Sequence, residues 1–443
     1  MEQVLYCVLY SCLGLVLLVS IRKKNKRLSF VGSYSGFVFG MLIYYILIPI
    51  IAFININELS IRYIAVNTYI LSKDIHFFIY ALSLVLIAFV SLNVIYNITI
   101  NKQNITHNIE IEIKKESIIK ILSVIAYATC FIGGVSFIIF IASLGGIVNA
   151  LKIADINRSF SSSLTDFVDY NYSLLIIPAR LITVSPFLFF LLGSLRKKVF
   201  DRFFFVFSFL ISISFFLFNA GRAPLIIFLL SFLYVILSRY FKKIWLKLVL
   251  VGVISLPLLD FLDSLFIYFG TNQWVSYKVD YLKYTYQLIH PFKNILNIPD
   301  ITSEYGLNFG SDFITSFLNF IPGVNFPKSY ENTSLFFSGG NWMVVGGVPN
   351  DPITFGYIQF GLAGVVMVFG FLGFLLARID AVLRKLPNNN ATKLICSILV
   401  TNMFILISSA DLEAVLRGNV IVVILSFCLL SISKFVTPLR NKS

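Results

Sequence analysis

Between residues 411 and 417 the chain reads Asp411-Leu-Glu413-Ala-Val-Leu-Arg417, two carboxylates and a guanidinium in an otherwise apolar stretch. On a helix, Glu413 and Arg417 stand at i,i+4 and share a face, with Asp411 within reach across the turn. A carboxylate there can serve as a base and the cation can clamp a phosphate. The same three residues can also neutralise one another, which lowers the cost of a turn in apolar surroundings. Arg222 closes Asn219-Ala220-Gly221-Arg222, a short pause in a long apolar run. A guanidinium binds phosphate bidentately, and a lone cation in an apolar hairpin is expensive to keep. Its plainer role is an arginine that snorkels to lipid headgroups from a helix end. Lys328 follows Phe326-Pro327, and Arg180 is preceded by Lys152 and Arg158; Asp260 and Asp263 lie three apart. Asp351, in Asn350-Asp351-Pro352, reads first as a helix cap with Pro352 at the first helical position.

Other chemistries are missing. The three histidines, His76, His107 and His290, are dispersed without metal-ligand spacing, so no metal site is expected. No P-loop, G-x-G-x-x-G, G-x-S-x-G or Asp-x-Asp motif occurs, and no cofactor is expected. An ATP-driven pump and a sugar-nucleotide transferase are thereby disfavoured; an enzyme with this inventory draws on an activated lipid-linked donor. Glu110-Ile-Glu112, among alternating isoleucines, reads as a solvated loop or strand. The five cysteines all fall in apolar segments and read as small apolar residues.

The elements that must position these groups are set by composition. Of 443 residues, 58% are hydrophobic and 13% charged, against roughly 25% charged in soluble domains. A chain this apolar needs a bilayer as solvent. Windows of about 17–25 apolar residues predict eleven transmembrane helices, at 3–21, 29–54, 76–99, 118–143, 172–194, 203–219, 223–238, 246–268, 352–377, 394–410 and 419–433. The basic residues cluster at 22–28, 101–120, 195–202, 239–247, 378–393 and the tail, and all six segments fall on one side of an eleven-span topology. By the positive-inside rule that side is the cytoplasm, with the N-terminus outside and the C-terminus inside. Most of the excess charge behind the net +14 is therefore topogenic, and nucleic acid drops out as a partner. The first span is not expected to be a cleaved signal peptide, since its cations follow it rather than precede it. The expected organisation is one integral membrane domain with a large outer loop, 269–351, between the eighth and ninth spans. That loop opens with aromatics at helical intervals from Trp274 to Tyr286, which predict an interfacial amphipathic helix, and 321–328 is Pro/Gly/Asn-rich and must be loop.

The second half of the chain resembles the Wzy-type polymerases of oligosaccharide repeat units (O-antigen polymerases), particularly the branch of the enterobacterial common antigen polymerase. The resemblance rests on Asn219-Ala-Gly-Arg222 followed by Ala-Pro-Leu-Ile-Ile, on His290-Pro291-Phe292-Lys293-Asn294, and on Phe320-Ile321-Pro322…Phe326-Pro327-Lys328. It extends through Pro349-Asn-Asp-Pro-Ile-Thr-Phe-Gly356-Tyr357-Ile-Gln-Phe-Gly361-Leu-Ala-Gly364 and the acidic-to-Arg417 turn. The Arg-x₁₀-Gly pattern of some members is absent after Arg180 and Arg222, and the first half matches only as a hydrophobic pattern. The resemblance implies an all-α, GT-C-like, metal-independent glycosyltransferase of the bacterial inner membrane. It would join undecaprenyl-pyrophosphate-linked oligosaccharides on the periplasmic face, among membrane lipids and with a chain-length regulator as a further partner. Arg222, Lys328 and Arg417 would then hold pyrophosphate, with Asp411 or Glu413 as base. Arg158, Arg180, Asp351 and His290 would contact substrate, and Trp274, Tyr281, Tyr284 and Trp342 would stack on sugars or anchor the loop. Rival readings are a flippase for the same lipid-linked unit, an O-antigen ligase, and a structural subunit of a larger assembly. A flippase predicts charges buried mid-span, inverted repeats and broken central helices.

Overall fold

The computed structural model describes residues 2–25, 32–104, 111–113, 115–152, 175–196, 198–218, 280–319, 329–338, 349–385 and 436–438, with parts of 225–233, 257–274, 396–410 and residue 326. Six of its helices are long and apolar enough to cross a membrane: Leu5–Lys24, Ser33–Ile54, Ile75–Asn101, Ile119–Ser143, Val199–Phe218 and Pro352–Arg384. The shorter apolar helix Arg180–Gly193 falls in the expected fifth span. These seven coincide with seven of the eleven hydropathy windows; the remaining four are described in part or not at all. The chain is thus an α-helical, multi-span membrane protein.

In chain order the helices are α1 (Glu2–Asn25), α2 (Ser33–Ile54), α3 (Ile56–Arg62), α4 (Ile75–Asn104), α5 (Lys115–Ser143), α6 (Ser185–Arg196) and α7 (Val199–Phe218). There follow α8 (Tyr281–Leu288), α9 (His290–Leu296), α10 (Ile298–Tyr305), α11 (Ser311–Leu318), α12 (Ser329–Ser338) and α13 (Pro352–Lys385). One antiparallel pairing departs from the all-α expectation: β1 (Ile111–Ile113) against β2 (Val436–Pro438), with Glu112 opposite Thr437. Among its described residues, the long segment 269–351 is mostly helical, α8 to α12. Its first helix starts at Tyr281 rather than near Trp274, because Asp280 caps it there, accepting from Leu282 N at 3.0 Å and Lys283 N at 3.3 Å.

The chain divides into two compact units, the first comprising Met1–Thr106, Asp280–Arg384 and Leu399–Gly418, the second His107–Val279, Lys385–Ile398 and Asn419–Ser443. In the first unit, α1, α2, α4 and α13 surround an apolar core. Phe292 of α9 plugs one end of it, its ring 5.8 Å from Tyr10, 6.0 Å from Phe53 and 6.2 Å from Phe78. Gly36 and Gly40 of α2 let the backbone at Val400 and Phe404 approach, since a Cβ at either would stand 2.8–2.9 Å from a carbonyl oxygen of that segment. Small residues four apart serve this close helix packing in membranes.

The opposite end of the core, beside Lys24 and Arg384, is closed by Asp380. Its carboxylate is fully buried and accepts from Ser33 N (2.6 Å), Ser33 Oγ (2.7 Å), Tyr34 N (3.3 Å) and Tyr96 Oη (2.8 Å). A residue of α13 thus caps the first turn of α2, supplying acceptors for amides that a helix start leaves without partners. Lys24 lies 5.8 Å from the ring of Tyr34 and 5.1 Å from that of Tyr96, and hydrogen-bonds Asn97.

Two spans of this unit are irregular. In α2, Pro49 has no amide hydrogen for the carbonyl of Tyr45, and the helix widens into a π turn over Ile43–Leu47. In α13, Phe360 (φ −144°, ψ 26°) and Gly361 (φ 62°, ψ −144°) leave helical geometry, and the latter is a conformation open essentially to glycine. Unbroken, 34 residues would span roughly 50 Å, well beyond a bilayer core of about 30 Å. The break makes two arms, 352–360 and 362–385, that fold onto each other. A Cβ on Gly364 would lie only 1.9 Å from the carbonyl oxygen of Gly356, whereas in a straight helix eight residues are separated by about 12 Å. The ninth expected span is therefore a half-helix that enters the core and turns back, followed by a full crossing.

The second unit packs α5, α6 and α7 side by side. Pro178 and Pro186 interrupt the run 176–196, which passes through a 3₁₀ turn, Arg180–Thr183. The carbonyl of Ile182 faces Pro186 four residues on, which has no amide hydrogen, and Ser212 Oγ of α7 donates to it at 2.9 Å. Gly133 admits this turn against α5, where a Cβ would stand 2.3 Å from Ile182 N. Phe187, Phe190, Phe205, Phe209, Phe228 and Phe232 interlock by edge and face contacts.

Candidate functional site

A polar layer lies inside the first unit where α9, α12 and the start of α13 meet. Tyr45 of the π turn donates to Asp351 Oδ1 at 2.8 Å, and the amides of Ile353 and Thr354 donate to the same oxygen at 3.0 and 3.2 Å. Thr354 Oγ1 donates to Oδ2 at 2.5 Å. Asp351 is thus the buried N-cap of the half-helix, the role its sequence context predicted. Burial pushes its carboxyl up to about 6 against these favourable bonds. Tyr45 lies 12 residues beyond Ser33, roughly 18 Å along α2, so this cap sits well inside the bundle.

Around it, Thr333 Oγ1 of α12 donates to Asn350 Oδ1 at 2.6 Å, Ala410 N to Asn350 O at 2.7 Å, and Asn294 Nδ2 of α9 to Pro349 O at 3.0 Å. His290 opens α9 with Nδ1 3.0 Å from Gln287 O and Nε2 2.9 Å from Ser408 O. Both neighbours are acceptors, so only the imidazolium satisfies both contacts. Burial nonetheless pushes the imidazole pKa down, with Lys293 adding to the depression.

Lys293, one turn further along α9, packs its Nζ 3.8 Å from the ring centroid of Phe337 and 5.6 Å from that of Tyr69. The two rings meet edge to face at 4.8 Å, and Tyr69 Oη donates to the carbonyls of Phe336 (3.3 Å) and Phe337 (3.2 Å). Asn297 Nδ2 holds the Tyr69 carbonyl at 3.0 Å. Burial pushes the Lys293 ammonium down to about 8. Nearby, Lys73 is paired with Asp300 and lies over the ring of Phe77.

At the turn of α13, Gln359 Nε2 donates to Asp312 Oδ2 of α11 at 2.7 Å, and Asn308 N donates to Ile358 O at 2.9 Å. The loop before α11 thereby docks on the half-helix.

Of the residues expected to form the site, the structure brings His290 and Asp351 into the same layer of the first unit. Arg180 belongs to the second unit, at the start of the 3₁₀ turn, where its carbonyl accepts from Thr183 Oγ1 at 2.7 Å. Arg158, Arg222, Lys328, Asp411, Glu413 and Arg417 lie outside the described residues, as does Trp342. Tyr284 is buried in α8 and has no face open to a sugar, while Trp274 and Tyr281 are exposed. Lys293, Asp380 and Tyr45 were not singled out from sequence. For Lys293 the signal was there, a lone cation within His290-Pro-Phe-Lys-Asn294. Among the described residues no group of three or more His, Cys, Asp or Glu could hold a metal ion. No protein-family model matches this chain, and neither a curated protein nor a solved structure matches it.

Proposed function

We propose that this chain is a polysaccharide polymerase of the bacterial inner membrane. It transfers a glycan from an undecaprenyl-pyrophosphate carrier onto an undecaprenyl-pyrophosphate-linked repeat unit at the periplasmic face. The observation that carries this reading is convergence. Segments 290–294 and 349–356, which bear the resemblance to Wzy-type polymerases, meet residues 408–410, just before the acidic-to-Arg417 turn, in one polar layer. The leaving group is a pyrophosphate, and cations at the membrane boundary stabilise the charge that develops on it without a metal. Arg222, Lys328 and Arg417 take that role, with Asp411 or Glu413 as base. In this reading the Lys24/Arg384 end is cytoplasmic and α8–α12 form the periplasmic cover.

The broken α13 favours a second reading, a flippase for the same lipid-linked unit, because transporters bind anions at half-helix N-termini inside the membrane. Here that N-terminus is occupied by the chain's own Asp351 carboxylate, which weakens the reading. Gene deletion separates the two. A polymerase deletion leaves single repeat units on the surface glycan ladder and removes the long chains, whereas a flippase deletion removes both. An O-antigen ligase deletion leaves lipid A core bare while polymer accumulates on its carrier. A ladder unchanged by deletion sinks the polymerase reading.

A further inference from the structure

Two lysines of the first unit stand near Tyr69, and they differ in one respect. Lys73 is neutralised by Asp300. Lys293, half-buried on α9, has among the described residues no carboxylate and no hydrogen-bond acceptor at its ammonium, only the faces of Phe337 and Tyr69. An aromatic face stabilises a cation through its quadrupole but consumes none of the three N–H donors in a conventional hydrogen bond. Burying an ammonium without a counter-ion is costly, and the depressed proton affinity of Lys293 is the trace of that cost. The rings are themselves fixed, by the Tyr69 hydroxyl on two α12 carbonyls and by Asn297 on the Tyr69 carbonyl. The cation is therefore preorganised without an ion pair among the described residues, and the nearby Glu304 carboxylate acts on the Tyr69 phenol instead. Its helix also carries Phe292, which plugs the end of the α1/α2/α4 bundle, so Lys293 belongs to that end of the unit.

We propose that Lys293, held by Tyr69 and Phe337, is a binding site for a phosphoryl group presented at this end of the first unit. Two sources share that chemistry, the diphosphate of a lipid-linked substrate and the phosphate of a bilayer phospholipid. Only the first rests on the polymerase reading above; the site itself does not.

The full chain is purified in dodecyl maltoside, which carries no phosphate, and titrated with inorganic pyrophosphate by calorimetry. Binding is expected, weakened about tenfold or more in Lys293→Met, retained in Lys293→Arg, and unchanged in Lys152→Met, an exposed lysine of the second unit. Failure of the wild-type chain to bind, or equal binding by Lys293→Met, overturns the proposal. Should Lys293→Met not fold, acetylation of the wild-type chain by an N-hydroxysuccinimide ester is read by mass spectrometry. Pyrophosphate is expected to protect Lys293 and leave Lys152 reactive; absence of protection is a refutation. Nanodiscs then separate the sources. If phospholipid occupies the site, pyrophosphate affinity is lower in phosphatidylglycerol nanodiscs than in nanodiscs of equal surface charge made with a phosphate-free anionic lipid; if the substrate diphosphate does, the two affinities agree. Pyrophosphate binding that depends on Lys293 in a protein whose deletion leaves the glycan ladder intact would keep this site and discard the polymerase.

Discussion

Tyr45 and Asp351, 306 residues apart in sequence, are joined by a hydrogen bond of 2.8 Å that fixes the π turn of α2 to the cap of the α13 half-helix. Neither irregularity stands alone. The turn created by Pro49 carries the phenol that the cap accepts from, and the cap holds the half-helix at that depth. Replacing Asp351 by Ala removes the acceptor for two amides, a threonine hydroxyl and Tyr45 at once. A loss of roughly 2–3 kcal/mol is expected, from the cap and the buried donor left unpaired, read as a lower Tm in detergent.

The same carboxyl gives a pH signature. Its folded pKa, about 6, lies above its ordinary value, so the folded state holds the proton more tightly than the unfolded state. That contribution is fully present below the unfolded pKa near 4 and is lost as pH rises through about 6. His290 acts in the opposite sense, because burial depresses its pKa and acidification favours the unfolded imidazolium. The wild-type profile therefore mixes the two. The difference between wild type and Asp351→Asn isolates the carboxyl, since asparagine caps comparably but does not titrate. Wild-type Tm is expected to gain on the variant as pH falls from 7 to 5.

Asp380 carries the other long-range cap. Asp380→Ala leaves Ser33 N, Tyr34 N and the Tyr96 hydroxyl without their acceptor in a buried setting. A loss of roughly 3–5 kcal/mol is expected from such a network. Asp380→Glu is not expected to rescue it, because the added methylene displaces an acceptor that meets four donors. Yield of monodisperse protein by size exclusion reads both variants.

Seven of the eleven expected spans have apolar helices at their positions, legible because the bilayer imposes a length and a polarity that survive in any window of sequence. Asp351 was legible as a cap because Asn350-Asp351-Pro352 is a local signal. Asp380 was not: by sequence it belongs to a basic flank, and its partner Ser33 stands 347 residues away. The turn at Gly361 hides in a stretch whose mean hydropathy stays high, since hydropathy carries no record of φ and ψ. Lys293 gains its character only from Tyr69 and Phe337, which no spacing rule connects to it.

Arg222 is the sharpest test of the transferase residues. If its guanidinium holds pyrophosphate, Arg222→Ala abolishes long-chain polymer while protein level and single-repeat glycan persist, and Arg222→Lys restores part of it, since lysine keeps charge but loses the bidentate fork. Normal polymer in the alanine variant, read on a gel of surface polysaccharide, sinks that assignment and leaves the snorkelling role.

The returning half-helix can be tested through its glycines. At Gly364 any side chain meets the Gly356 carbonyl, the Cβ being 1.9 Å away, so Gly364→Ala forces the two arms of α13 apart. At Gly361 the obstacle is the backbone, for φ 62° with ψ −144° excludes ordinary residues. Each alanine is expected to cost roughly 1–3 kcal/mol, and the pair less than the sum, because separating the arms once relieves both constraints. Gly193→Ala, where the nearest atom is 4.0 Å away, is expected to be neutral or slightly stabilising, as in any helix interior. Tm in detergent reads all three variants, and a Gly364→Ala chain as stable as Gly193→Ala refutes the fold-back.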